Sequence, residues 1–445
     1  MSYTPYQNRD NFLNLTNSIL KQAQAIGCVN AEVSISKHLG YSVHTRLKEL
    51  ESIDHRDELI LKIVVYTEKG IGSATSSTLK KNDVSTALEA AYAMAKYSPR
   101  DVHTALADKS ELAFNCPELD LYHPWNIEIQ DMIDYAKRCE ELGFLQDKRI
   151  TDSQGATVSS HTYHSIYANT NDFIGERLMT KHHMDCGFIV AVDDEMKRDS
   201  NFTTARDPKD LLAIDTVVKD AVKRTISKLK PRKIKSMVAP AIMNPRVANK
   251  FWSAFIAAIN GNNLCRQNSF LLNQLGEQLF LKNINVSEDP HIKKGLGSSP
   301  FDDEGVATRM KNYVQDGVLN CYALDSYSAS VLNMKTTGNA GGVYNIKISS
   351  GEFDLEQLIQ QMGDGLLITD VIGNGINMLT GDFSLGAFGF VVAEGNILYP
   401  VEQMTIAGNL KDFFKDIVAV SSDFENKTNV ISGSILVNKI IIGGC

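Results

Sequence analysis

The segments AEVSISK (31–37), GYSVHTRL (40–47) and LILKIVVYTE (59–68) decide how the first half of this chain folds. In the first, Ala31, Val33 and Ile35 alternate with Glu32, Ser34 and Ser36. A period of two sends one set of side chains to each face of a strand, so the three segments predict antiparallel strands.

Helical patterns flank them. Residues 11–26 (NFLNLTNSILKQAQAI) set Phe12, Leu13, Ile19, Leu20 and Ala23 at helical spacing, and Gly27 follows as a stop. Residues 84–97 (VSTALEAAYAMAKY) predict a second helix, closed by Ser98-Pro99. Helix, strands and helix in this order point to an α+β module, with helices packed on one sheet face. Further on, 126–143 reads as a helix capped around Asn126, and 158–170 and 182–193 read as strands. Residues 207–229 read as one long amphipathic helix, with Asp207 as N-cap and Pro208 at its first position.

The basic, Pro-bracketed stretch KPRKIKSMVAP (230–240) is predicted to join an N-terminal α+β domain (1–229) to a C-terminal domain (241–445). Its Lys/Arg run reads as a solvated linker rather than a partner-binding patch. Beyond it, RVANKFWSAFIAAI (246–259) carries Val247, Phe251, Phe255 and Ile259 in one stripe, widened by Trp252 and Ile256. Such a stripe predicts a buried core helix. The remainder is rich in strands and glycines: TTGNAGG (336–342), IGNGINMLTGDFSLGAFGF (372–390) and EGNILYPV (394–401). Strands interrupted by closely spaced glycines predict a curved sheet or barrel with tight turns.

Composition bounds the function. With 445 residues, 43% hydrophobic and 22% charged, the chain is long enough for two or three domains. A net charge of −8 argues against direct nucleic-acid binding, which needs a basic surface. No apolar run approaches the ~20 residues of a membrane span, and the N-terminus lacks a signal-peptide layout. The seven cysteines are scattered and never form C-x-x-C. A reduced, cytoplasmic setting is therefore expected.

Among ten histidines none precedes a Glu, so the His-Glu-x-x-His helix of a zinc protease is absent. The nearest metal-like set is His161, His164, His182, His183, Asp185 and Cys186. On a strand, positions i and i+3 face opposite ways, so His161 and His164 do not grip one ion together. Gly373-x-Gly375 reads as turn glycines, because no helix is predicted after it. No G-x-S-x-G elbow occurs. The stretch GSSPFDDEGVATRM (297–310) sets Asp302, Asp303 and Glu304 between Pro300 and Gly305. Pro and Gly favour a turn or strand entry, where such acids cap backbone N–H groups or face a substrate backbone.

Taken together, GLGSSPFDDEGVATRM…DGVLNCYALDSYSASVLNMKTTGNAGG (295–342) and NGINMLTGDFSLGAFGFVVAEGNILYPVEQMTIAGNLKDFF (374–414) resemble the PmbA/TldE side of the TldD/PmbA family. SFLLNQLGEQLF (269–280) and, more weakly, MKRDSNFTTARDP (196–208) extend the likeness over most of the chain. The family was first named as modulators of DNA gyrase. The resemblance implies a two-subunit cytoplasmic zinc metallopeptidase that trims unfolded peptides, including precursors of modified peptide antibiotics and an antitoxin.

In that family the zinc lies on the sister, TldD-like subunit, held by a helix with His-Glu-x-x-x-His and by a later cysteine. Gapless matching brings Trp252, Ser253 and Ala257 opposite the His, Glu and His positions. SSDFENKTNV (421–430) has no cysteine for the third ligand, and Cys445 lies past the last strand. The resemblance therefore implies no cofactor in this chain, zinc in a TldD-like partner and a shared peptide channel. A homodimer is allowed when the chain is alone. Asp302, Asp303, Glu304, Gly305 and Asn339 are candidates either for lining the peptide channel or for a family landmark without that role. Two alternatives stay open: a self-sufficient metallopeptidase using His161, His182 or His183 with Asp302, and a non-enzymatic regulator of gyrase or an antitoxin.

Overall fold

The computed structural model describes residues 5–192, 195–425 and 427–444; Cys445 lies outside them. Helix α1 (Pro5–Ala25) leads into three antiparallel strands: β1 (Asn30–Arg46), β2 (Glu49–Tyr66) and β3 (Ile71–Ser76). After α2 (Lys81–Tyr97) and α3 (Ile129–Gln146) come β4 (Ile150–Asn169), β5 (Ile174–Val192), β6 (Glu195–Ala205) and α4 (Ile214–Ser227). The six strands form one sheet in the order β3-β2-β1-β4-β5-β6.

Segments 31–37 and 40–47 are one strand of 17 residues, not two. Gly40 does not break it. Strand β4 runs so close that a Cβ at Gly40 would lie 2.3 Å from the Ser160 carbonyl, so only glycine lets the ladder pass.

All four helices cover the same sheet face. Phe12, Ile19 and Ala91 pack on Val33, Ile35 and Leu61 at one end. Met132, Val217 and Val218 pack on Val43, Val158 and Met184 at the other. The opposite face carries Glu32, Ser34, Ser36, His38 and Ser42 of β1, and among the described residues none of α1–α4 packs on it. Two helix expectations need correction. Asp207 caps only a short turn, Pro208–Asp210, with Lys209 N–H donating to it (3.0 Å). The chain is then pulled onto β6 by Leu212 N–H donating to Thr203 Oγ1 (3.1 Å), and α4 starts afresh at Ile214. Helix α3 begins at Ile129 rather than near Asn126, where Glu128 N–H donates to Asp131 Oδ2 (3.4 Å).

The second half opens with β7 (Met237–Met243) and α5 (Pro245–Ala258), then α6 (Gly261–Cys265) and β8 (Val286–Glu288). Next are β9 (Lys311–Gln315), β10 (Val318–Leu319), α7 (Ser326–Val331), β11 (Ile346–Ile348) and α8 (Leu355–Met362). The chain ends with β12 (Gly365–Ile372), β13 (Asp382–Ala393), β14 (Asn396–Asn409), α9 (Leu410–Lys415), β15 (Ile417–Val420), β16 (Val430–Ile431) and β17 (Ile435–Gly443). Strands β14-β13-β12-β7-β17 lie side by side, and β14 also pairs with β17, closing a five-stranded barrel. Glu394 and Gly395, at φ 50° and 73°, make the tight β13–β14 turn. The fold is thus α+β with a barrel-like second half, as the glycine spacing predicts.

Helix α5 is the core helix its stripe predicts: Val247, Phe251, Trp252, Phe255 and Ile259 are all buried against the barrel and α9. Asn244 caps it, accepting from Val247 N–H (3.0 Å), with Pro245 at the first position. Among the described residues no helix is long and apolar enough to cross a membrane.

Candidate functional site

The acids at 302–304 form a turn with three different duties. Asp302 N–H donates to Val306 O (2.9 Å) and Gly305 N–H to Asp302 O (3.1 Å), which closes the loop. Gly305 sits at φ 79°, and a Cβ there would lie 2.7 Å from the Phe173 ring, so glycine is required twice over. The buried Asp302 carboxylate accepts from Glu304 N–H (2.9 Å), Val306 N–H (2.9 Å) and Ala340 N–H (3.0 Å). It is a brace, and burial lifts its pKa to about 6 despite those donors. Glu304 accepts from Ser326 N–H (2.9 Å) at the start of α7. Asp303 is exposed and pairs with Arg177 of β5 (2.9 Å), whose guanidinium also lies over Phe301.

The turn therefore sits against the helix-free face of the N-terminal sheet. Between them lies a cleft of about 510 Å³, lined by Glu32, Ser34, Ser36, Lys62, Ser165, Tyr167, Arg177, Asp303 and Glu304 among others. Sequence reading finds no further carboxylate near the triplet; the fold supplies Glu32. Glu32 accepts from Tyr167 OH (2.6 Å) and Tyr66 OH (3.3 Å), and burial beside it pushes both phenols well above their ordinary range. The cleft offers carboxylates, cations and hydroxyls together, which suits the polar backbone and charged groups of an extended peptide better than an apolar ligand.

Burial raises Glu304 from 4.5 to about 7, with the Asp302 and Asp325 charges adding to it. An acid whose folded pKa lies above its unfolded one loses stability as pH climbs between the two values. Glu304→Gln has no charge to bury. Its urea midpoint is expected to improve relative to wild type between about pH 5 and about pH 8, while a constant difference would contradict this.

Asn339 lies inside, 3% exposed. Its Nδ2 donates to Glu288 (3.2 and 3.3 Å) and Gly342 O (3.0 Å), and its Oδ1 accepts from Lys311 Nζ (3.1 Å) and Thr337 Oγ1 (2.8 Å). It anchors the 336–342 loop whose Ala340 holds Asp302 and Asp303.

The histidines are not brought together. His182 is buried, its Nε2 hydrogen-bonded to the His123 carbonyl (2.8 Å) and its Nδ1 to Ser160 Oγ (3.0 Å). His183, on the other face, bonds Thr204 Oγ1 (2.8 Å) and Asp185 (3.0 Å). His161 bonds His38 (3.1 Å) and Ser42 (3.1 Å); burial lowers its pKa to about 4. His164 faces Glu176 (2.8 Å) on the side opposite to His161. Asp302 meets none of them. Among the described residues, no group of three or more His, Cys, Asp or Glu has a metal-holding arrangement.

On α5, Trp252 is buried and donates through Nε1–H to Ser432 Oγ (2.9 Å). Ser253 is exposed and donates to Asn249 O (2.7 Å), and Ala257 is half-buried. Zinc takes Cys, His or carboxylate donors; an indole N–H, a helix-bonded hydroxyl and a methyl do not fit it.

Comparison with known proteins places this architecture. Residues 122–229 match the PmbA/TldA metallopeptidase central domain and 236–444 match the C-terminal domain of the same family. The chain is 38% identical to Metalloprotease PmbA of Escherichia coli over 414 residues, 93% of this chain and 92% of that one. It is 39% identical over 416 residues to a PmbA homolog of Haemophilus influenzae, again 93% and 92% of the two chains. A Bacteroides thetaiotaomicron protein described as a modulator of DNA gyrase has the same fold, with TM-score 0.92, 25% identity and 98% and 99% of the chains covered. TldE from Thermococcus kodakarensis shares the fold alone, with TM-score 0.82 at 19% identity, over 97% and 100% of the chains. From the motifs, the barrel and these likenesses together, the chain belongs to the PmbA/TldA metallopeptidase family, on its PmbA side.

Proposed function

We propose that this chain is the non-catalytic half of a two-chain cytoplasmic metallopeptidase, shaping a peptide chamber around zinc held by a TldD-like sister. One observation carries the reading: the α5 positions matched to the sister's ligands hold Trp252, Ser253 and Ala257, and Trp252 is spent on the aromatic core. The helix-free sheet face and the cleft at Asp303 and Glu304 are the surfaces suited to line the chamber. Their hydroxyls and charges suit main chain without selecting a sequence, which supports unfolded peptides as the substrate class; precursors of modified peptide antibiotics and an antitoxin are the examples that the family resemblance implies.

The test compares the chain alone with the chain co-expressed with a sister that carries His-Glu-x-x-x-His. Zinc content and hydrolysis of an unstructured peptide are measured in each. Alone, the chain is expected to hold no stoichiometric zinc and cleave nothing; co-purified with the sister, it gains both. Stoichiometric zinc with full activity in the isolated chain would sink the proposal.

A further inference from the structure

On the polar face of the N-terminal sheet, the strand registers set one row side by side: Gly40 of β1 opposite His161 of β4, and His161 opposite Lys181 of β5. Lys181 is exposed and, among the described residues, has no carboxylate partner. Arg206, the residue after β6, is 6% exposed. Its guanidinium donates to three carbonyls, Thr180 O (2.9 Å), Leu296 O (2.6 Å) and Gly295 O (3.5 Å), and to no carboxylate. Burial lowers its pKa to about 10, so it stays charged near neutral pH. Asp207, its neighbour in sequence, is engaged by Lys294 (2.7 Å) and His123 (3.4 Å). A buried cation held by carbonyls alone lacks the counter-charge that would offset its desolvation.

Tyr163 stands beside both cations. On β4 it is the diagonal neighbour of Lys181, within reach of long side chains, and it lies in the field of Arg206. Its ring stacks on His38 (centroids 4.3 Å apart, planes at 19°), and its hydroxyl has no hydrogen-bond partner among the described residues. His161 brings no acid to the corner; its two nitrogens meet His38 and Ser42 (3.1 Å each).

We propose that this corner takes the free carboxyl terminus of a peptide: Lys181 and the Tyr163 hydroxyl donate to the carboxylate oxygens, and Arg206 supplies the positive field behind them. The inference rests on reading this face as a chamber wall. Toward the cleft the charge reverses, with Glu32, Asp303 and Glu304 at its border and Arg177 already paired with Asp303. Lys181 and Arg177 are four residues apart on β5, as are Tyr163 and Tyr167 on β4, a span of about 13 Å. A carboxylate is repelled by the acidic end and held at the cationic one. The wall therefore gives the peptide a direction, with its carboxyl end at the corner and its amino-ward part toward the cleft. Every peptide carries a carboxyl terminus, so this recognition does not depend on sequence.

Calorimetric titration of the full chain with a short unstructured peptide lacking acidic side chains tests it. The peptide is used as the free acid, as the carboxamide, and as a carboxamide with Glu at its last position. The free acid is expected to bind about tenfold or more tighter than either amide. Lys181→Met and Tyr163→Phe are each expected to bring the free acid toward the amide while leaving the amide unchanged. Lys181 is exposed and Phe keeps the ring that stacks on His38, and unchanged circular dichroism checks that both variants fold. Equal binding of acid and amide, a Glu-bearing amide that binds like the free acid, variants that keep the full preference, or no binding of the free acid would each overturn the inference. The zinc and cleavage comparison judges the chamber reading separately.

Discussion

Trp252→Ala is expected to destabilise the barrel half by about 3–5 kcal/mol, the range for emptying a buried indole site. The side chain is 1% exposed. It stacks on Phe414 (centroids 6.0 Å apart, planes at 9°) and on Phe280 (5.7 Å, 29°), and meets Phe255 edge-on. Those rings belong to a close-packed cluster with Phe251, Phe413 and Phe383, so little can move in to fill the space. Ser432 Oγ also loses its indole donor. By contrast, Ser253→Ala is expected to change stability by no more than about 0.5 kcal/mol, since that residue is exposed on the same helix. Urea unfolding followed by far-ultraviolet circular dichroism separates the two. Equal effects would mean that α5 is not packed through Trp252. The contrast bears on function, because a position committed to the core in this way is not a ligand site temporarily filled by another residue.

What the sequence made legible was local. The stripe on 246–259 gave α5 and its buried face, and the spaced glycines pointed to a curved strand-rich second half. The alternation in AEVSISK also implied more than strands. With helices on the Val33 and Ile35 side, Glu32, Ser34 and Ser36 had to face the other way, where the cleft lies. Contacts across long separations were not legible. Glu32 meets Tyr167 across 135 residues, and Arg177 meets Asp303 across 126. Nothing in either segment announces the other, so the acidic turn looked isolated. Helix 207–229 failed for a related reason. Its apolar period is sound, but a single hydroxyl on β6, Thr203, captures the backbone at Leu212 and divides the segment.

Lys311→Met should be comparably severe, and for an electrostatic reason. Glu288 is fully buried, and Lys311, its side chain 9% exposed, is its ion-pair partner. Asn339 touches both, and Tyr344 N–H donates to the same carboxylate (2.7 Å). Removing only the cation leaves a carboxylate in the interior with neutral donors, a change that costs about 3–5 kcal/mol. Glu288→Gln with Lys311→Met removes both charges, so the double variant is expected to recover much of that loss. If the single and double variants unfold at the same urea concentration, the ion pair is not what holds this region. The consequence extends to the acidic turn. Asn339 anchors the loop in which Ala340 N–H donates to Asp302 and Ala340 O accepts from Asp303 N–H. Loosening the Glu288–Lys311–Asn339 brace therefore releases the turn that walls the cleft. In hydrogen exchange, the Ala340 and Asp303 amides are expected to lose protection in Lys311→Met and to regain it in the double variant. Retained protection in the single variant would uncouple the brace from the cleft.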